Sequence, residues 1–80
     1  MADRTTEAWM DAARARLRAW GADHKTDGLP EEGRALVGAS RTVKTEADVA
    51  AALSDICWWD SGMVDEALAE IDSEVRGGNG

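Results

Sequence analysis

Apolar residues return every three or four positions along most of this chain, and that spacing leaves little room for anything but helices. In TEAWMDAARARLRAW, residues 6–20, Trp9, Ala13, Leu17 and Trp20 share one face, with Met10 beside them. In TEADVAAALSDICWW, Val49, Leu53 and Ile56 repeat the spacing, and Val64, Leu68, Ile71 and Val75 form a third stripe. Thr5 or Thr6 can cap the first helix, with Glu7 in its first turn and Gly21 at its end. GADHKTDGLP then reads as a loop. Pro30 opens a short helix, PEEGRALVGA, with Leu36 and Val37 facing inward and Gly33 weakening its interior. Thr45 and Asp48 have capping-box spacing, and DSG at residues 60–62 separates the last two helices, with Asp60 or Ser61 as cap. The β-branched residues of SRTVK do not make a strand, because one short run has nothing to pair with. The reading is all-α: a small antiparallel four-helix bundle with helices near 6–20, 30–39, 46–58 and 62–76, forming one domain over 1–76, and a flexible Gly-rich tail at 77–80.

Eighty residues bury only about 60% of their unfolded surface, so the large side chains matter disproportionately. There are four Trp and no Phe or Tyr, which puts much of the large apolar area on tryptophan. No apolar run is long enough to span a bilayer, and MADRTTEAWMD lacks the apolar segment of a signal peptide; the expectation is a cytoplasmic location without membrane contact. Cys57 is the one cysteine, so it is read as a small buried hydrophobe or as a dimer contact across a two-fold axis. His24 lies in a separate segment, and a catalytic pair or metal site with Cys57 is not expected. There is no Gly-rich phosphate loop, no HExxH and no GxSxG, so the reading is non-enzymatic, with no cofactor. The DSG triplet differs from the DSL phosphopantetheine motif of acyl carrier proteins in the residue after serine and in its place near the C-terminus.

Charge is distributed unevenly. Residues 1–44 hold eight bases against seven acids, whereas residues 45–80 hold nine acids and one base, Arg76. The whole net charge of −7 therefore belongs to the last two helices. On a helical projection Glu66, Glu70 and Glu74 form a row on one flank of the last apolar stripe, with Asp65 and Asp72 on the other. Like charges four residues apart cost a helix roughly 0.2–0.5 kcal/mol each, and a chain shaped for stability alone would interleave lysine. Arg14 and Arg18 could neutralise the row within the fold; otherwise it faces a positively charged partner. The three arginines of the first helix are too few for direct nucleic-acid binding beside so acidic a half.

Trp58 and Trp59 are adjacent, and helical neighbours point about 100° apart. If the third helix continues through them, Trp59 lies at the edge of the core face and Trp58 is exposed; if it stops at Cys57, both rings wrap the corner. An exposed tryptophan beside acids has the composition of an interface anchor. The candidate partner-binding residues are Trp58, Asp60, Asp65, Glu66, Glu70, Asp72 and Glu74, with Cys57 as a dimer contact. In size, in its pI near 4.5 and in this carboxylate run, the chain resembles the small acidic anti-defence proteins of phages and mobile elements, including anti-CRISPR proteins and other nucleic-acid mimics. The resemblance implies an inhibitor in the host cytoplasm whose acidic face occupies a basic channel on a host protein or nucleoprotein complex. A different class also fits: a small helical adaptor or antitoxin-like regulator acting through a hydrophobic, Trp58-centred or homodimer interface.

Overall fold

A computed structural model describes residues 3–77 and contains four helices and no strand among them: α1 (Glu7–Thr26), α2 (Pro30–Thr42), α3 (Glu46–Ile56) and α4 (Ser61–Gly77). The all-α bundle is thus the fold. The tail expected at 77–80 is reduced, since Gly77 ends α4 and residues 78–80 lie outside the described range.

The caps explain where three helices begin. Thr6 Oγ1 accepts the N–H of Trp9 at 3.1 Å, satisfying one of the donors that a first turn leaves open. Thr45 and Asp48 form the reciprocal capping box of α3, and the backbone N–H groups of Lys44 and Thr45 hold the Asp48 carboxyl below its usual range. Asp60, rather than Ser61, caps α4: its Oδ1 accepts from Met63 N at 2.9 Å. α2 has no side-chain cap and starts on Pro30, whose missing N–H leaves one donor fewer to satisfy.

Three boundaries depart from the sequence reading. α1 runs six residues beyond Trp20, through most of the stretch read as a loop, and its stop is Gly28 at φ 89 rather than Gly21. Gly21 stays helical because α2 crosses there. A Cβ on Gly21 would stand 2.7 Å from the carbonyl oxygen of Gly33, and one on Gly33 would strike the carbonyl oxygen of Gly21. The two glycines let the backbones touch, so Gly33 offsets its poor helix propensity with a close crossing. α2 continues to Thr42, and α3 ends at Ile56, two residues short of the expected end.

Each helix packs on its two chain neighbours, with α4 closing back on α1. Trp9 near the start of α1 reaches Asp72 late in α4, while Trp20 meets Trp59 just before α4 begins; these two helices therefore run in opposite directions. The same holds for α1 and α2, where Arg14 Nη2 donates to Val43 O at the far end of α2 and His24 reaches Glu32 at its start. The core comprises Trp9, Ala13 and Leu17 of α1, Leu36 of α2, Val49 and Leu53 of α3, and Val64, Leu68 and Ile71 of α4, with Val43 from the linker. Complete burial of a side chain such as Leu17, Leu53 or Ile71 contributes roughly 1.5–3 kcal/mol. The predicted stripes are thus the inner faces.

Candidate protein-binding surface

The link between α3 and α4 sets the geometry of the surface. Cys57 caps α3, its N–H donating to Leu53 O at 3.1 Å. The next residue, Trp58, adopts φ 59, a left-handed conformation that a side chain other than glycine or asparagine rarely takes. This one residue turns the chain. It leaves the Trp58 ring 83% exposed and sends Trp59 back against the bundle, where it packs on Trp20 edge to face, ring centres 5.6 Å apart and planes at 75°. The outcome resembles the expected split, Trp59 inward and Trp58 outward, but the cause is a left-handed turn after Ile56 rather than a helix continued through both rings.

Trp20 and Trp59 wall a groove of about 260 Å³ whose remaining lining is Met63, Glu66, Ala67 and Glu70. Residues 63, 66, 67 and 70 are one helical stripe of α4, so an apolar floor and a carboxylate rim come from the same turns. Arg16 reaches this rim from α1. Its guanidinium carbon lies 5.6 Å from the centre of the Trp20 ring, its Nη2 is 3.9 Å from Glu70 Oε2 and its Nε is 3.3 Å from Glu74 Oε1. The Nε atom is buried, yet Glu74 lies off its N–H direction, so the attraction is that of an ion pair rather than of a hydrogen bond. The acidic row is therefore partly neutralised by Arg16, not by the two arginines the sequence pointed to. Arg14 serves Val43 O and Asp11 instead, and Arg18 is exposed with no ion pair among the described residues. Glu66, one turn before Glu70, likewise has no ion-pair partner among the described residues.

Of the sequence-proposed residues, Trp58, Asp60, Asp65, Glu66, Glu70 and Glu74 are exposed. Asp65 stands on the opposite flank of α4, in a shallow hollow with Ala50, Ala51 and Ser54 of α3, so it does not share the tryptophan groove. Asp60 spends one carboxylate oxygen on the α4 cap. Asp72 departs most from expectation. Its carboxylate is only 16% exposed and faces inward: Arg4 donates from Nε and Nη2 at 3.1 and 2.8 Å, and the Trp9 indole Nε1 donates at 2.7 Å. Those bonds, those of Arg4 foremost, hold its carboxyl below the usual range. Arg4 also bonds Glu46, which ties the segment before α1 to the start of α3. Asp72 is consequently a strut of the fold. Sequence reasoning assigned it to the surface because its stripe position is peripheral, and nothing in the pattern announced that Arg4 would fold over it.

Sequence reasoning also kept His24 and Cys57 apart, whereas the fold joins them. Cys57 Sγ lies 4.0 Å from His24 Nε2, and His24 Nδ1 lies 3.1 Å from Glu32 Oε2. With Nδ1–H donating to the carboxylate, Nε2 is left to accept the thiol proton. The order Cys, His, Glu resembles a nucleophile relay, but burial, seconded by the nearby Glu32 charge, pushes the thiol up to about 11 and keeps it protonated at neutral pH. The trio stitches the ends of α1 and α3 to the start of α2. Cys57 is partly buried and packs against the core cluster. Among the described residues no group of three or more His, Cys, Asp or Glu could hold a metal ion, and no helix is long and apolar enough to cross a membrane. Comparison with protein-family models, with curated proteins and with solved structures finds no match to this chain.

Proposed function

We propose that the chain is a non-enzymatic protein-binding inhibitor that presents the acidic flank of α4 to a basic, nucleic-acid-binding host effector, in the manner of the anti-defence proteins its size and charge resemble. The observation that carries this reading is the imbalance on that flank: of three exposed glutamates, Glu70 and Glu74 share one base, Arg16, and Glu66 has no ion-pair partner among the described residues. A surface so arranged attracts a cationic partner at long range and loses that attraction as salt screens it over about 8–10 Å. Substituting all three by glutamine removes the like-charge repulsion along α4 as well as the Arg16 pairs, so the variant folds. In a pull-down from host lysate, the wild type is expected to capture a nucleic-acid-binding complex that washes off at high salt, and the triple glutamine variant to lose it. Undiminished capture by a folded triple variant would refute the acidic-face reading.

A second reading rests on Trp58, which stands 83% exposed at φ 59. An adaptor or homodimer built on that ring would tolerate salt and fail on Trp58→Ala. Light scattering with and without reductant separates a self-association through Trp58 from a covalent one through Cys57.

A further inference from the structure

We propose that the groove between α1 and α4 is a receptor for one cationic side chain, an arginine or a lysine, projecting from the partner protein. This rests on the acidic-face reading and adds the chemistry of its anchor.

The molecule supplies its own template. Arg16 shows what this corner does with a guanidinium: it lies over the Trp20 ring while pairing with Glu70 and Glu74. Trp59 and Glu66 repeat the same two ingredients, an indole and a carboxylate, in the lining of the groove that Trp20 walls. Yet no base of the described chain reaches Glu66. The two indoles stand at 75°, and it is an electron-rich ring face that attracts a cation entering the corner. Met63 and Ala67 line the floor, which suits the aliphatic stem of arginine or lysine. The volume of about 260 Å³ holds one such side chain and not a helix. An anionic or purely apolar occupant would leave Glu66 desolvated without a partner and crowd the Arg16-paired Glu70, and these carboxylates therefore select the sign of the charge.

The test titrates the intact protein, ¹⁵N-labelled, with N-acetyl-arginine amide, N-acetyl-lysine amide and the uncharged isostere N-acetyl-citrulline amide, following the four tryptophan indole resonances. One isolated side chain is expected to bind at about the millimolar level. The Trp20 and Trp59 indoles should shift saturably with arginine or lysine, while Trp9 stays fixed and citrulline does nothing. Glu66→Gln, at an exposed position, should weaken binding at least about fivefold, a lost charge-assisted contact. Trp59→Leu should abolish it, whereas Glu31→Gln, on α2, should leave it unchanged. A larger response to arginine than to lysine would assign the guanidinium, and the reverse the ammonium. Equal shifts with citrulline, shifts confined to Trp58, or full binding by Glu66→Gln would overturn the proposal. Loss of the groove result with salt-sensitive capture of a basic partner intact would remove the anchor and keep the acidic face; the opposite pattern would remove the face and keep the anchor.

Discussion

At one end of the α1–α4 seam Trp9, Asp72 and Arg4 close on one another; at the other, Trp20, Arg16 and the Glu70 and Glu74 carboxylates leave a groove beside them. Both ends use a tryptophan of α1, acid from α4 and an arginine, and they reach opposite results. At the closed end the indole N–H donates to the carboxylate, Trp9 is fully buried and Asp72 is 16% exposed. At the open end the arginine lies on the ring face, and Glu70 and Glu74 remain 57% and 44% exposed. The difference decides how much each set of charges holds the fold. The two arginines are about equally exposed, 31% and 30%, so the difference lies in the acid: Asp72 is the more withdrawn from water, and losing Arg4 would strand its carboxylate. Exposed acids such as Glu70 and Glu74 make pairs that contribute roughly 0–1 kcal/mol, so a competing cation can displace or join them cheaply. The closed end is built for stability, and the open end is left exchangeable.

The contrast is broken most forcefully by truncating the two tryptophans. Trp9→Ala should cost about 3–5 kcal/mol in chemical denaturation, since it empties a fully buried site and removes one of the donors to Asp72. Trp20→Ala, at a half-buried ring, should cost about half as much; equal losses would mean that the open end is as structural as the closed one.

Asp72→Asn should come next, lowering stability at neutral pH by about 2–3 kcal/mol. The pH profile sharpens the point. Because Arg4 and the Trp9 indole hold the Asp72 carboxyl below its ordinary 3.8, the folded state stays ionised where the unfolded chain has already taken up a proton. That stabilisation is whole above the ordinary value and drains away as pH falls through the native one. Thermal melts of the wild type should therefore drop on acidification below about pH 4, and Asp72→Asn should flatten that drop.

Trp58→Gly should move stability the other way, raising it by about 0.5–1 kcal/mol, because glycine takes φ 59 without strain and little burial is lost. A more stable variant that no longer captures the partner would identify Trp58 as a residue kept for contact at the expense of the fold. Lower stability would mean that the ring packs on something structural.

At neutral pH the smallest effect belongs to Cys57, two residues before Trp59. Its thiol is pushed up to about 11 from 9.0, so the folded chain keeps a proton that the unfolded chain releases. The associated stability is complete below about pH 9 and is lost as pH rises toward 11. Alkylation by iodoacetamide at neutral pH should run about 10–100 times slower than for a free thiol, and Cys57→Ala should remove the alkaline decline.

The apolar periodicity by itself determined the four helices and their inner faces, because a 3.6-residue repeat maps one-dimensional spacing onto one side of a cylinder whatever the cylinder packs against, and the order of acids and bases along the chain placed the negative charge in α3 and α4. The Thr45 cap was legible too, since a cap bonds to a neighbour three residues on, whereas the choices between Thr5 and Thr6 and between Asp60 and Ser61 were made only in the fold. Only the tertiary structure decided what lies across from each face. Gly21 has the appearance of a helix stop and is a crossing point, because Gly33 arrives from twelve residues away to fill the missing side chain's place. Asp72 has the appearance of a surface acid and is a partly buried strut, because Arg4 comes to it from the far end of the chain. Arg16, rather than Arg14 or Arg18, reaches the glutamate row because the angle at which α1 crosses α4 sets which arginine faces it. Local rules act over one helical turn, and these partners are chosen by how four cylinders pack.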